Sequence, residues 1–203
     1  MSRFDGTIGY KSFMETGLGE GVVRLVILGG PGAGKGTQAE LLCRHFSIPW
    51  IATGEILREA IAQKTELGCK AQPYVEKGEL VPDPTMIEFI QSRLVLPNAS
   101  KGWLLDGYPR TAFQAEELDF LLEDLQQRLD WAIWIDVPDA VLTSRSLARS
   151  RQDDRPEIVQ RRIEQFRDCT IPILEYYERR QRLITIKGDR SPEEVSQEIQ
   201  AKL

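Results

Sequence analysis

The sequence predicts an α/β domain in which five parallel strands form one sheet with helices on both faces. Three observations predict it. Short apolar stretches recur along the chain, helix-period segments separate them, and the first stretch ends in glycines that run straight into a helix-forming segment. Strands alternating with helices need crossover connections, and these make a parallel sheet covered on both sides.

The elements follow in order. Residues 1–21 carry Gly6, Gly9, Gly17, Gly19 and Gly21 with few aliphatic side chains, so they are expected to be a flexible leader, with one domain over 22–203. From Val22 the run VVRLVILGG reads as a doubly buried strand, and QAELLCRHF after it as a helix. Further strands are expected near Ile48 to Ile51, at Trp103 to Leu105, at Trp131 to Val137 and at Leu183 to Ile186. Apolar residues at 118, 121, 122, 125 and 129 mark a crossover helix. A second helical face runs from Val159 through Ile163, Phe166, Thr170 and Ile173 to Tyr177, and Pro172, lacking an N–H, should kink or break it. Ser191-Pro192-Glu193-Glu194 opens a terminal helix to about Lys202, with a capping serine, proline at the first helical position and acids in the first turn.

Composition narrows the class. The 203 residues suit one domain, and 41% hydrophobic against 28% charged residues supply a core. A net charge of −5 argues against wrapping nucleic acid as the main task. Cys43, Cys69 and Cys169 form no C-x-x-C pair, so neither a zinc site nor a disulfide framework is expected. No apolar run approaches the ~18 residues of a membrane span, and a soluble cytoplasmic protein is expected.

Gly29-Gly30-Pro31-Gly32-Ala33-Gly34-Lys35 fits G-x-x-x-x-G-K, directly after a strand and directly before a helix. Such glycines let backbone N–H groups converge, the helix N-terminus adds partial positive charge, and Lys35 adds a full one, so a polyphosphate is the matching ligand. The fold expected is therefore that of the P-loop nucleoside triphosphate hydrolases. The residue after Lys35 is Gly36, where a magnesium-binding hydroxyl usually stands; the hydroxyl comes one place later, at Thr37.

GGPGAGKGTQ resembles the loop of nucleoside monophosphate kinases. Thr53 to Arg58 looks like that family's T-G-D-L-L-R, Gly78 to Asp83 like its G-x-L-V-P-D, and Asp106 to Arg110 like its D-G-[FY]-P-R. Several motifs in order are more specific than any one, and the adenylate kinases are the closest match. The resemblance implies MgATP and AMP as substrates, transfer to give two ADP, a helical monophosphate-binding insertion at about 52–81, a very short lid at about 149–156, and a monomer. It assigns ATP to Gly30, Pro31, Gly32, Ala33, Gly34, Lys35, Gly36, Thr37, Arg149 and Gly188, and AMP to Thr53, Arg58, Gly107, Arg110, Gln114, Arg151 and Arg162. Lys35, Arg110, Arg149, Arg151 and Arg162 would be catalytic. The lid cysteines of metal-binding members are absent, so no lid zinc is implied.

The residue types suit the chemistry. An acceptor phosphate is already anionic near neutral pH, so transfer needs positive charge more than a general base. Arginine meets that need, gripping phosphate oxygens in pairs while staying charged. Arg145, Arg149, Arg151, Arg155, Arg161 and Arg162 crowd one stretch, where a solvated helix face is the plain alternative. Asp106 follows a strand, where its carboxylate would orient the water shell of magnesium or simply cap a turn. His45 falls at a helix end and takes no role.

Two residues speak to the acceptor base. The resembling adenylate kinases have threonine at the place of Thr53 and glutamine at that of Gln114, where pyrimidine monophosphate kinases tend to carry alanine and asparagine. A carboxamide offers a donor and an acceptor together, which matches the adenine edge. A nucleotide-dependent switch would carry a guanine-reading N-K-x-D, which the chain lacks. A non-catalytic nucleotide module would have no need of Lys35, Arg58, Arg110 and Asp106 together.

Overall fold

The computed structural model describes residues 22–149 and 155–203; the expected leader, and the lid residues 150–154 with Arg151 among them, lie outside the described residues. Strands β1 (Val23–Leu28), β2 (Trp50–Ala52), β3 (Gly102–Asp106), β4 (Trp131–Asp136) and β5 (Leu183–Lys187) pair in the order β2-β3-β1-β4-β5, every pair parallel. Helices α1 (Lys35–Phe46), α2 (Thr53–Ala62), α3 (Glu66–Lys77), α4 (Asp83–Leu94), α5 (Ala112–Asp124), α6 (Asp139–Arg149), α7 (Pro156–Gln165), α8 (Ile171–Arg179) and α9 (Pro192–Lys202) connect and cover them. None of these is long and apolar enough to cross a membrane.

β1 and β3 read as nearly continuous apolar runs because both faces are covered, whereas β5, at the sheet edge, exposes Thr185 and Lys187. Along β1, Val26 and Leu28 join one core with Trp103, Leu105, Leu118, Ile173 and Tyr177. Leu25 and Ile27, their alternates, join the other with Leu42, Leu104, Ile133, Leu142, Ile163 and Ile199. β1 sits between β3 and β4, so the connections leaving β1 and β3 run to opposite sides of it. Such a reversal of strand order opens a crevice at the carboxyl ends of the strands.

Two helix boundaries depart from the apolar spacing. The helix expected from 118 to 129 starts earlier, at Ala112, because Thr111 caps it by accepting from the Gln114 N–H at 3.1 Å. It stops at Asp124, with Gln126 at φ 55°. Leu129 is still buried, packed from the loop, so the periodic pattern outran the helix. The kink or break expected at Pro172 takes the form of a π-helical turn, Phe166–Thr170, between α7 and α8, with the proline in the first turn of α8. α9 carries the expected cap as a full capping box between Ser191 and Glu194.

Candidate active site

A cleft of about 450 Å³ opens at the carboxyl ends of β1, β2 and β3. On one side the turn Gly29 to Gly34 joins β1 to α1. Gly32 at φ 80° and Gly34 at φ 92° take left-handed conformations that side chains resist. A Cβ on Gly32 would come within 2.6 Å of the Leu142 carbonyl oxygen, so α6 seats the back of the loop as well. Lys35 Nζ donates to the carbonyls of Gly29 and Gly30 at 2.8 and 3.0 Å, folding the ammonium over its own loop. Gly36 and Thr37 continue the wall, and the Trp50 ring lies against Gly36, 3.6 Å from where a Cβ would sit.

On the other side β3 ends at Asp106 and leads into Gly107-Tyr108-Pro109-Arg110, with the Tyr108-Pro109 bond cis. Arg110 is tied down at several points. Its Nε donates to the Gly107 carbonyl at 2.8 Å, its N–H to Gln114 Oε1 at 2.7 Å, and its carbonyl accepts from Thr170 Oγ1 at 3.2 Å. Its guanidinium still presents surface to the cleft, yet desolvation by the surrounding protein lowers its pKa below the ordinary arginine value. Arg162 and Arg58 push the same way, and Asp106 opposes them. The cleft thus draws together Arg58 from α2, Arg110 from the loop after β3, and Arg162 from α7.

Thr53 is 1% exposed and donates from Oγ1 to the Asp106 carbonyl at 3.0 Å, which locks the start of α2 to the end of β3. Gly78 closes α3 at φ 71°, and Arg161 Nη1 reaches the neighbouring Lys77 carbonyl at 2.9 Å, joining the insertion to α7. Arg149, at the end of α6, also lines the cleft.

Of the residues singled out from the sequence, Pro31, Gly32, Ala33, Gly34, Lys35, Gly36, Thr37, Thr53, Arg58, Asp106, Gly107, Arg110, Gln114, Arg149 and Arg162 line this one cleft. Gly30 and Gly188 stand outside its lining. Gly30 faces a smaller cavity beside Asp139 and Phe166, and Gly188 follows β5, its N–H donating to the Asp136 carbonyl at 2.8 Å. Arg145 gains a partner that the sequence reading missed: Nη1 donates to the Gly188 carbonyl at 2.8 Å, across 43 positions. Asp83, read only as the end of a motif, accepts from Gln114 Nε2 at 2.7 Å. Neither pairing leaves a local sequence signal, since both depend on how distant elements meet. His45 lies outside the cleft lining, edge-on to Phe46 with ring centroids 4.7 Å apart.

A phosphate-binding loop facing a cluster of arginines is the arrangement that comparison with known proteins resolves. The sequence pattern of the family described as adenylate kinase matches residues 27–182. The chain belongs to the adenylate kinase family. It is 65% identical over 177 residues to adenylate kinase 2 of Nostoc sp., covering 87% of this chain and 96% of that protein. It is 55% identical over 181 residues to adenylate kinase 2 of Synechocystis sp., covering 89% and 100%. Adenylate kinase 1 of Nostoc sp. is 47% identical over 182 residues, 90% of this chain and 99% of that protein. The all-parallel five-stranded sheet with its phosphate-binding loop is the fold that this membership implies.

Proposed function

We propose that this adenylate kinase carries out the reversible transfer of a phosphoryl group from MgATP to AMP, giving two ADP, within the single cleft at the sheet's carboxyl edge. The observation that carries the reading is that Lys35 and the phosphate-binding loop face Arg58, Arg110 and Arg162 across one volume. A donor polyphosphate on that loop and an acceptor phosphate on those arginines would be within reach of each other.

In the step itself an acceptor phosphate oxygen forms a bond to the γ-phosphorus while the bond from that phosphorus to the β–γ bridging oxygen breaks. The electron pair stays with the departing ADP, and no proton has to be removed. The loop from Gly30 to Gly34, with Gly36 and Thr37, cradles the donor phosphates; Lys35 balances charge at the transferred group; Gly188 and Arg149 serve the ATP side. Arg58 and Arg110 hold the acceptor phosphate, with Arg162 and Arg151 gathering charge over the transition state. Thr53, Gly107 and Gln114 form the AMP-base side.

Magnesium fits the donors present. Asp106 brings a hard carboxylate to the same cleft as the phosphate-binding loop. That donor set suits an ion carried largely by phosphate and water. The bound ion would neutralise charge on the β- and γ-phosphates, with Asp106 orienting its water shell.

The insertion at 52–81 and the lid at 149–156 would close over the nucleotides and exclude water, whose attack on ATP wastes it. The leader at 1–21 lies outside this machinery, and the chain works as a cytoplasmic monomer on free nucleotides, with neither nucleic acid nor membrane as partner. Turnover with AMP, UMP, CMP and GMP side by side tests the acceptor. AMP is expected to lead by more than a few-fold; UMP or CMP turned over as fast overturns the base assignment.

A further inference from the structure

Gln114 is 2% exposed, and both ends of its carboxamide are engaged: Oε1 accepts from the Arg110 N–H, and Nε2 donates to Asp83 Oδ1, each at 2.7 Å. The two ends are nearly the same size, so partners alone decide which way such a group points. Here both partners are one-sided. A backbone N–H only donates and an ionised carboxylate only accepts, so the two contacts select the same orientation. Each uses one hydrogen or one lone pair and leaves another, so one N–H and one oxygen lone pair remain for a ligand. Gln114 lines the cleft, as do Val81 and Met86 on either side of Asp83 in the sequence.

We propose that Asp83, at the start of α4, is a positioning residue for acceptor-base selection: by accepting from Gln114 Nε2 it holds the carboxamide in the orientation that admits a 6-aminopurine and rejects a 6-oxopurine. Adenine presents an exocyclic amine donor beside a ring-nitrogen acceptor. Hypoxanthine presents a carbonyl acceptor beside a ring N–H donor, the same edge with the order reversed. A carboxamide free to turn over would serve either; one held at Oε1 by the Arg110 N–H and at Nε2 by Asp83 serves one, and Asp83 supplies the side-chain half of that hold. The inference rests on the reading that Gln114 faces the acceptor base.

The test compares AMP with IMP in binding and in turnover, for wild type, Asp83→Asn, Asp83→Glu, Gln114→Ala and the Asp83→Asn/Gln114→Ala double variant. Asparagine can donate as well as accept, so Asp83→Asn leaves the Arg110 N–H as the one contact that still selects the orientation, and is expected to lose part of the AMP-over-IMP preference, roughly threefold or more, through KM for AMP more than through kcat. Asp83→Glu keeps an acceptor-only group and should retain more of the preference. Because Asp83 acts through Gln114, Asp83→Asn should change the preference no further once Gln114 is alanine. An undiminished preference in Asp83→Asn, or an equal loss with and without Gln114, overturns the inference. Should Asp83→Asn fail to fold, Asp83→Ser replaces it against Asp83→Glu, and a serine variant as selective as the glutamate overturns it equally. Wild type that shows no preference, or Gln114→Ala that keeps it, refutes instead the underlying reading of the base site.

Discussion

Gly107→Ala separates the two sides of the cleft. Gly107 has φ 86°, and a Cβ there would lie 2.5 Å from Thr53 Oγ1 and 3.2 Å from Arg110 Nη2. Thr53 has little room to yield, being 1% exposed and bonded to the Asp106 carbonyl at 3.0 Å. The left-handed backbone costs a non-glycine residue about 1–2 kcal/mol, and overpacking about 1–3 kcal/mol, so the sum is roughly 2–5 kcal/mol. For a domain of this size each kcal/mol moves the melting midpoint by about 2–4 °C, which predicts a fall of roughly 4–20 °C. The strain falls on Thr53 and Arg110, so KM for AMP should rise while KM for ATP changes little. Gly36→Ala is the control. Its Cβ would meet the Trp50 ring at an ordinary 3.6 Å, inside a helix, so it should stabilise by about 0.4–1 kcal/mol. Thermal unfolding and steady-state kinetics on both variants decide the matter. A Gly107→Ala midpoint within a degree of wild type, or KM for ATP rising as much as KM for AMP, would contradict this role for Gly107.

Lys35→Met should keep the fold and lose turnover by orders of magnitude; more than about a tenth of the wild-type rate sinks its assignment. Arg162→Ala is expected to lose ~10³-fold or more in kcat, as a transition-state arginine can. Arg155→Ala, outside the cleft lining, should lose far less, and equal losses would show the short lid to be misaligned. Burial and the nearby Asp106 carboxylate push the Cys43 thiol up to about 12, so iodoacetamide at pH 8 should label exposed Cys69 and spare Cys43 until the chain unfolds. The sign for stability follows: above about pH 9 the unfolded chain releases the Cys43 proton while the folded one keeps it, so this residue's contribution falls as pH rises from there toward 12. A stability that rose over that range would contradict it.

How far the sequence reached depends on how local each signal was. All five strands were legible because each is a short stretch dominated by apolar residues, and β4 and β5 began where the stretches began. α9 was legible because its cap, proline and acids lie within four residues. α5 was mislocated because Leu129 keeps the helical period while leaving the helix; burial and periodicity agree only while the backbone stays regular. The phosphate-binding loop was legible from spacing, since a nest of N–H groups needs glycines in sequence. Arg145 with Gly188 and Asp83 with Gln114 were not, because each contact forms only after two elements pack from different parts of the chain.

The same distinction explains why this cleft has its charge fixed before any ligand arrives. Desolvating Arg110, and gathering Arg162 and Arg58 beside it, both work against folding, which is the direction in which the Arg110 pKa is lowered. The chain tolerates it because Arg110 is anchored through its own backbone and guanidinium to Gly107, Gln114 and Thr170, elements whose apolar sides already bind them to the sheet. The ordering of that arginine is therefore completed during folding rather than at the moment of transfer, which is when electrostatic stabilisation is worth most. With an acceptor oxygen that is already anionic, the step asks for no proton carrier, and the chain's only histidine can stand on the outer end of α1 without cost to the chemistry. On the proposed reading, arginines held in place by a polar network, rather than any acid–base pair, are what this fold contributes to phosphoryl transfer.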